Sequence, residues 1–143
     1  MVEQVSVFLE NSSGRLAELT RALGDAGIDM HALMVADTEE FGVVRIIADS
    51  PARARDLLDE RGFGASLSSV TAVEVSDRPG GLADVLEALG DAGINVEYAY
   101  CFVKPRADTA VDVLKVDGAN ADDVLRSAGF RVLDAADLYA TGS

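Results

Sequence analysis

The seven residues ALGDAGI occur twice, at 22–28 and again at 88–94, and this repetition restricts the possible folds more than any other feature of the chain. Placed in register at an offset of 66, the two copies also align Gly14 with Gly80, Leu16 with Leu82 and Ala17 with Ala83. One extra residue in the middle loop shifts the offset to 67, which pairs Leu58 with Leu125, Gly62 with Gly129 and Phe63 with Phe130. The 143 residues are therefore a tandem duplication, assigned to units of residues 1–69 and 70–143.

Each unit reads as strand, helix, strand, strand, helix, strand. In the first, QVSVFLE alternates apolar and polar residues as a half-buried strand does, and Asn11, Ser12 and Ser13 offer cap-type side chains for a helix start. Leu16, Leu19, Leu23 and Ala26 then recur at helical spacing, and Gly27 is placed to stop the helix in the left-handed conformation. Residues 28–36 and 41–48 read as a hairpin, with Asp37, Thr38, Glu39 and Glu40 in its turn. Ser50 and Pro51 open a second helix that Gly62 ends, and a strand over 64–67 closes the unit. The second unit repeats the order: strand 71–75, helix 81–92, strands 95–103 and 109–116, helix 120–128 and a last strand from Arg131. This is α+β with two ferredoxin-like βαββαβ modules in tandem, each an antiparallel sheet with helices on one face. Bare sheet edges need cover, which points to a homodimer.

Composition excludes several functions. The net charge of −13 opposes binding to nucleic acid or to an anionic membrane, since both depend on Lys and Arg neutralising phosphates. The amino-terminal MVEQVSVFLE lacks a basic and then apolar leader, and no apolar run approaches the roughly 18 residues that span a bilayer, so a cytoplasmic protein is expected. Cys101, the single cysteine, lies in the apolar run AYCFV and is expected to be a buried structural thiol. His31 is the only histidine and has no partner set for a metal, so no metal site and no cofactor is expected. No nucleophile motif is present, and the 25 acidic residues spread over turns and helix faces as a solvated surface does. Asn11-Ser12-Ser13 fits a glycosylation acceptor but is read as a helix cap. Tyr98 and Tyr100 share one face of a strand, as packing residues do.

The turn after each first strand is rich in small residues: NSSGRL at 11–16 and DRPGGL at 77–82. Two readings stay open on physics alone. The glycines either permit a tight turn and nothing more, or they bring a carboxylate or phosphate close to free N–H groups at a helix start.

DRPGGL followed by a helix and then GINV resembles the pattern of ACT domains, small ligand-binding regulatory modules, and NSSGRL followed by GIDM is a looser version of it. The two copies cover nearly the whole chain. The resemblance implies a non-enzymatic regulatory protein that holds an amino acid at the interface between ACT modules. The implied contacts are Asn11, Ser12, Ser13 and Gly14 in one turn, Asp77, Arg78, Pro79, Gly80 and Gly81 in the other, and Asp29 and Asn95 at the second-strand starts. If the units pair about a pseudo-twofold axis, Asn11 faces Asn95 and Asp77 faces Asp29. An amide pair serves both ends of an amino acid, whereas two carboxylates repel its carboxylate. Arg78 either pairs with a ligand carboxylate or is a solvated surface arginine. The alternative implied by the resemblance is a regulatory subunit that docks on an amino-acid biosynthetic enzyme such as acetolactate synthase. An acylphosphatase-like hydrolase on the same fold lacks a catalytic set here.

Overall fold

The structure is a computed structural model and describes residues 1–10, 12–37, 41–103, 108–118 and 120–139. The described residues divide into two compact units, one of Glu3–Ser68 and one of Met1–Val2 with Ser69–Tyr139.

The first unit contains β1 (Val2–Glu10), α1 (Arg15–Asp25), β2 (Met30–Asp37), β3 (Phe41–Ala48), α2 (Pro51–Glu60) and the beginning of β4 (Gly64–Ser76). Its strand order is β2-β3-β1-β4. Period-two alternation in β1 turns Val5, Val7 and Leu9 to one face, and antiparallel pairing sets Val5 opposite Ile46 and Val7 opposite Val44. Leu19, Ala22 and Leu23 of α1 and Ala54 and Leu58 of α2 close over that face, so both helices share one core with the sheet. Each fully buried leucine there contributes about 1.5–3 kcal/mol.

The second unit contains the rest of β4, α3 (Gly81–Asp91), β5 (Val96–Val103), β6 (Thr109–Val116), α4 (Ala121–Ser127), β7 (Arg131–Leu133) and α5 (Ala135–Tyr139), with strand order β5-β6-β4-β7. Val73, Val75, Leu114, Val116 and Val132 face Val85 and Leu89 of α3 and Leu125 of α4. Thr71 in β4 donates from Oγ1 to Oδ1 of Asp122 in α4 at 2.7 Å, and the Met1 amino group lies 2.7 Å from Oδ2 of the same carboxylate.

The doubled ALGDAGI is a helix stop. In α1 the N–H of Ile28 donates to the carbonyl of Leu23 at 3.0 Å and the N–H of Gly27 to that of Gly24 at 3.0 Å, with Gly27 at φ 72°. The Leu23 and Ile28 side chains are both buried, which completes a Schellman motif with its hydrophobic contact. Ile94 repeats the bond to Leu89 at 2.9 Å, with Gly93 at φ 75°. The same pattern ends α2 at Phe63 and α4 at Phe130.

Four expectations need correction. The strands expected over 64–67 and from Thr71 are one 13-residue strand, β4, because Ser68 and Ser69 continue the extended backbone. The helix starts carry no side-chain cap: Gly14, not Asn or Ser, is the N-cap of α1, and Ser50 makes no cap hydrogen bond in α2. Cys101 is exposed, because β5 is the last strand in its sheet order and, among the described residues, no strand covers its outer side. The short helix α5 is absent from the sequence reading. The expected turn residues Thr38, Glu39 and Glu40 lie outside the described residues.

Candidate functional site

Both strand-to-helix turns have the same backbone design. In the first unit the Ser12 N–H returns to the Glu10 carbonyl at 2.8 Å, Gly14 takes φ 86° as N-cap, and Glu18 N–H closes the first helical turn onto the Gly14 carbonyl. In the second unit the Arg78 N–H returns to the Ser76 carbonyl at 2.9 Å, Gly80 takes φ 87° as N-cap, and Asp84 N–H closes onto the Gly80 carbonyl. Neither N-cap supplies a side-chain acceptor. The positive end of each helix is thus left to solvent or to whatever binds there.

Ser12, Ser13 and Gly14 are exposed, as are Asp77, Arg78, Pro79 and Gly80. Asn11 lies outside the described residues. Gly81 is the buried member of the set. A Cβ at that position would stand 2.5 Å from the Ser76 carbonyl oxygen, so the backbone approach itself excludes a side chain. The first unit has Arg15 at the equivalent place.

Asp29 and Asn95 are exposed residues just ahead of β2 and β5. A facing aspartate clamps each backbone: the Asp29 N–H donates to Asp49 Oδ1 at 3.3 Å, and the Asn95 N–H to Asp117 Oδ1 at 2.9 Å. The second-strand start follows the far end of the helix that the turn begins. Eleven helical residues separate them, roughly 16 Å of axis. Within one unit the turn residues therefore gather together, and the second-strand residue stands apart from them.

Arg78 is exposed but not extended. Its guanidinium bonds the Asp84 carboxylate and the Pro79 carbonyl, folding the side chain back over the turn. Beside this pair is a cleft of about 270 Å³, lined among others by Glu74, Arg78, Asp84, Phe130 and Arg131. Sequence reading missed Glu74, Phe130 and Arg131 as cleft residues: Phe130 and Arg131 lie about fifty residues beyond the turn, after α4 and at the start of β7, and Glu74, though only three residues ahead of Asp77, joins the cleft only through its bond to Arg131. Arg131 bonds Glu74 at 3.0 Å and approaches Asp137 at 3.6 Å. His31 is partly buried in β2. Tyr98 and Tyr100 pair with Lys115 and Val113, on the sheet face away from the helices.

Among the described residues, no group of three or more His, Cys, Asp or Glu is arranged to hold a metal ion, and no helix is long and apolar enough to cross a membrane.

No curated protein matches the chain. Among solved structures, protein BT0572 from Bacteroides thetaiotaomicron is similar at 34% identity and TM-score 0.90, covering 96% of this chain and 95% of that one. The regulatory subunit of aspartate kinase from Thermus thermophilus shares the fold at 18% identity and TM-score 0.68, covering 89% of this chain and 90% of that one. Aspartate kinase from Synechocystis shares it at 15% identity and TM-score 0.61, over 99% of this chain and 26% of the kinase chain. The family model for an ACT domain pair matches residues 1–139, in agreement with the duplicated helix stop and paired glycine turns, and the chain belongs to that family.

Proposed function

We propose that this chain is a non-enzymatic regulatory protein that binds an amino acid where one ACT module meets another, and that it acts as a homodimer. The observation that carries this reading is the pair of uncapped helix starts, each beneath a glycine at φ near 87°. Such a turn offers backbone N–H groups to a ligand carboxylate. The second-strand starts at Asp29 and Asn95 stand too far along the helix to complete a site inside their own module, so a neighbouring module supplies that contact.

The two copies differ in chemistry. Asn11 and Asn95 carry amides, which donate to a carboxylate and accept from an ammonium, whereas Asp77 and Asp29 are carboxylates that repel a carboxylate ligand. The amide-bearing positions form the tighter amino-acid site. Calorimetric titration of the best-binding amino acid into Asn11→Ala and Asp77→Ala tests this. Asn11→Ala is expected to lose about tenfold or more in affinity, as removing a hydrogen bond to a charged group does. An equal or larger loss in Asp77→Ala overturns the asymmetry.

A second reading, docking on an amino-acid biosynthetic enzyme, has its own support in exposed apolar side chains. Phe8 is 69% exposed on β1, and Leu33 and Val35 stand out from β2, the last strand in its sheet order. Co-purification of an enzyme, lost on Phe8→Ser, separates this reading from a stand-alone sensor.

A further inference from the structure

The duplication lets one unit serve as a control for the other. In the first unit the Arg15 guanidinium lies over the Phe63 ring, 4.5 Å from its centroid, and pairs with Glu18 at 2.8 Å. The guanidinium therefore sits against an aromatic face on one side and a carboxylate on the other. The ring beneath it is only 4% exposed.

The aligned positions in the second unit are Gly81, Phe130 and Asp84. The aromatic ring and the carboxylate are retained while the aligned position has no side chain, the carboxylate being met by Arg78 from the turn instead, and the 2.5 Å approach of Ser76 to a Cβ at 81 keeps any side chain from returning there. Phe130 is correspondingly only partly buried, and the cleft of about 270 Å³ opens beside it. Glu74 adds a second carboxylate to the lining, where the first unit has Phe8.

We propose that this cleft binds the cationic side chain of a basic amino acid, a guanidinium foremost, in the place that Arg15 fills in the first unit. The aromatic face of Phe130 attracts the cation through its quadrupole. Asp84 and Glu74 supply the carboxylates, now engaged by Arg78 and Arg131. The Arg78–Asp84 pair is solvent-exposed and therefore worth little, so a ligand cation displaces Arg78 at small cost, whereas Glu74 is half-buried and is shared with Arg131 rather than freed. Arg78, released in this way, becomes a partner for the ligand's own carboxylate. The net charge of −13 draws cations toward the protein. The proposal rests on the amino-acid reading above only for the identity of the natural ligand; a bare guanidinium compound is expected to bind as well.

The test is a titration of the isotopically labelled full chain with L-arginine, methylguanidinium and L-norleucine, whose side chain is uncharged, followed by NMR. Arginine and methylguanidinium are expected to shift the amide signals of Gly81, Asp84, Phe130 and Arg131, and norleucine to leave them in place. Phe130→Leu, which keeps the apolar contact with the core, is expected to weaken binding about fivefold, and Glu74→Gln to weaken it as well. Arg15→Gly is expected to create a second guanidinium site beside Glu18 and Phe63. Unchanged affinity in both Phe130→Leu and Glu74→Gln overturns the proposal, as does equal binding of norleucine. If an amino acid shifts Ser12, Ser13, Asp77 and Asn95 but not Phe130 and Arg131, the module-interface reading stands and the cleft proposal fails. If methylguanidinium binds the cleft and no amino acid shifts those turn residues, the outcome is the reverse.

Discussion

Asp112 occupies the position in β6 that Val44 occupies in β3: Val73 pairs with Asp112 as Val7 pairs with Val44. It is 3% exposed, and its Oδ2 has no hydrogen-bond partner among the described residues. Burial pushes its carboxyl pKa up from the ordinary value. An acid with a raised folded pKa costs stability when ionised, so the cost is fully present above that folded value and disappears as pH falls through it toward the unfolded value. Asp112→Val is therefore expected to stabilise the protein at neutral pH by roughly 1–3 kcal/mol. In urea unfolding its advantage over the wild type should shrink as the pH is lowered toward 4. An advantage that stays constant with pH would show that folding does not raise the Asp112 pKa. Nothing in the sequence marked Asp112, because TAVDVLKV reads as an ordinary strand and only the register shows which face the aspartate takes. Cys101, its neighbour across the strand pair, was misread for a related reason. An apolar run reveals that a segment is a strand, whereas exposure depends on whether the strand lies at an edge.

Helix ends were the most legible elements because their chemistry is local. Gly27, Gly62, Gly93 and Gly129 all stand at positive φ after a helix, where the sequence placed stops. Helix starts were less legible. Ser and Asn side chains are good caps in general, but here a left-handed glycine takes the cap position and the serines remain exposed. The two glycines inside the first ALGDAGI should respond oppositely to alanine. Gly27→Ala forces a Cβ into the left-handed region and is expected to cost roughly 1–2 kcal/mol. Gly24→Ala falls in α1 with open space around the new Cβ and is expected to be neutral or stabilising by up to about 1 kcal/mol. Thermal unfolding of the two variants checks the pair, and equal destabilisation would contradict the helix-stop account. Gly81→Ala has a different cause of damage, a clash with the Ser76 carbonyl, and is expected to lose roughly 1–3 kcal/mol. The continuity of β4 is not legible in the sequence, because Ser68 and Ser69 interrupt the apolar pattern without ending the strand.

At the scale of the molecule, the internal repeat supplied the modular order of elements directly, since each copy checks the other. The sites were only partly legible. Glycine turns announce themselves in sequence, whereas the cleft of Glu74, Phe130 and Arg131 exists only after β4, α3 and β7 are folded together. The differences between the copies, arginine against glycine at the helix start and amide against carboxylate in the turns, leave one shared scaffold with different chemistry at equivalent positions. Regulation by an amino acid is the central claim, and thermal unfolding of the purified chain against a panel of the common amino acids at millimolar concentration tests it most directly. A ligand that binds only the folded state stabilises it by RT ln(1 + [L]/Kd), about 2.7 kcal/mol at a hundredfold excess over Kd. The account predicts a selective rise in Tm for one or a few amino acids. No rise for any member of the panel would contradict it.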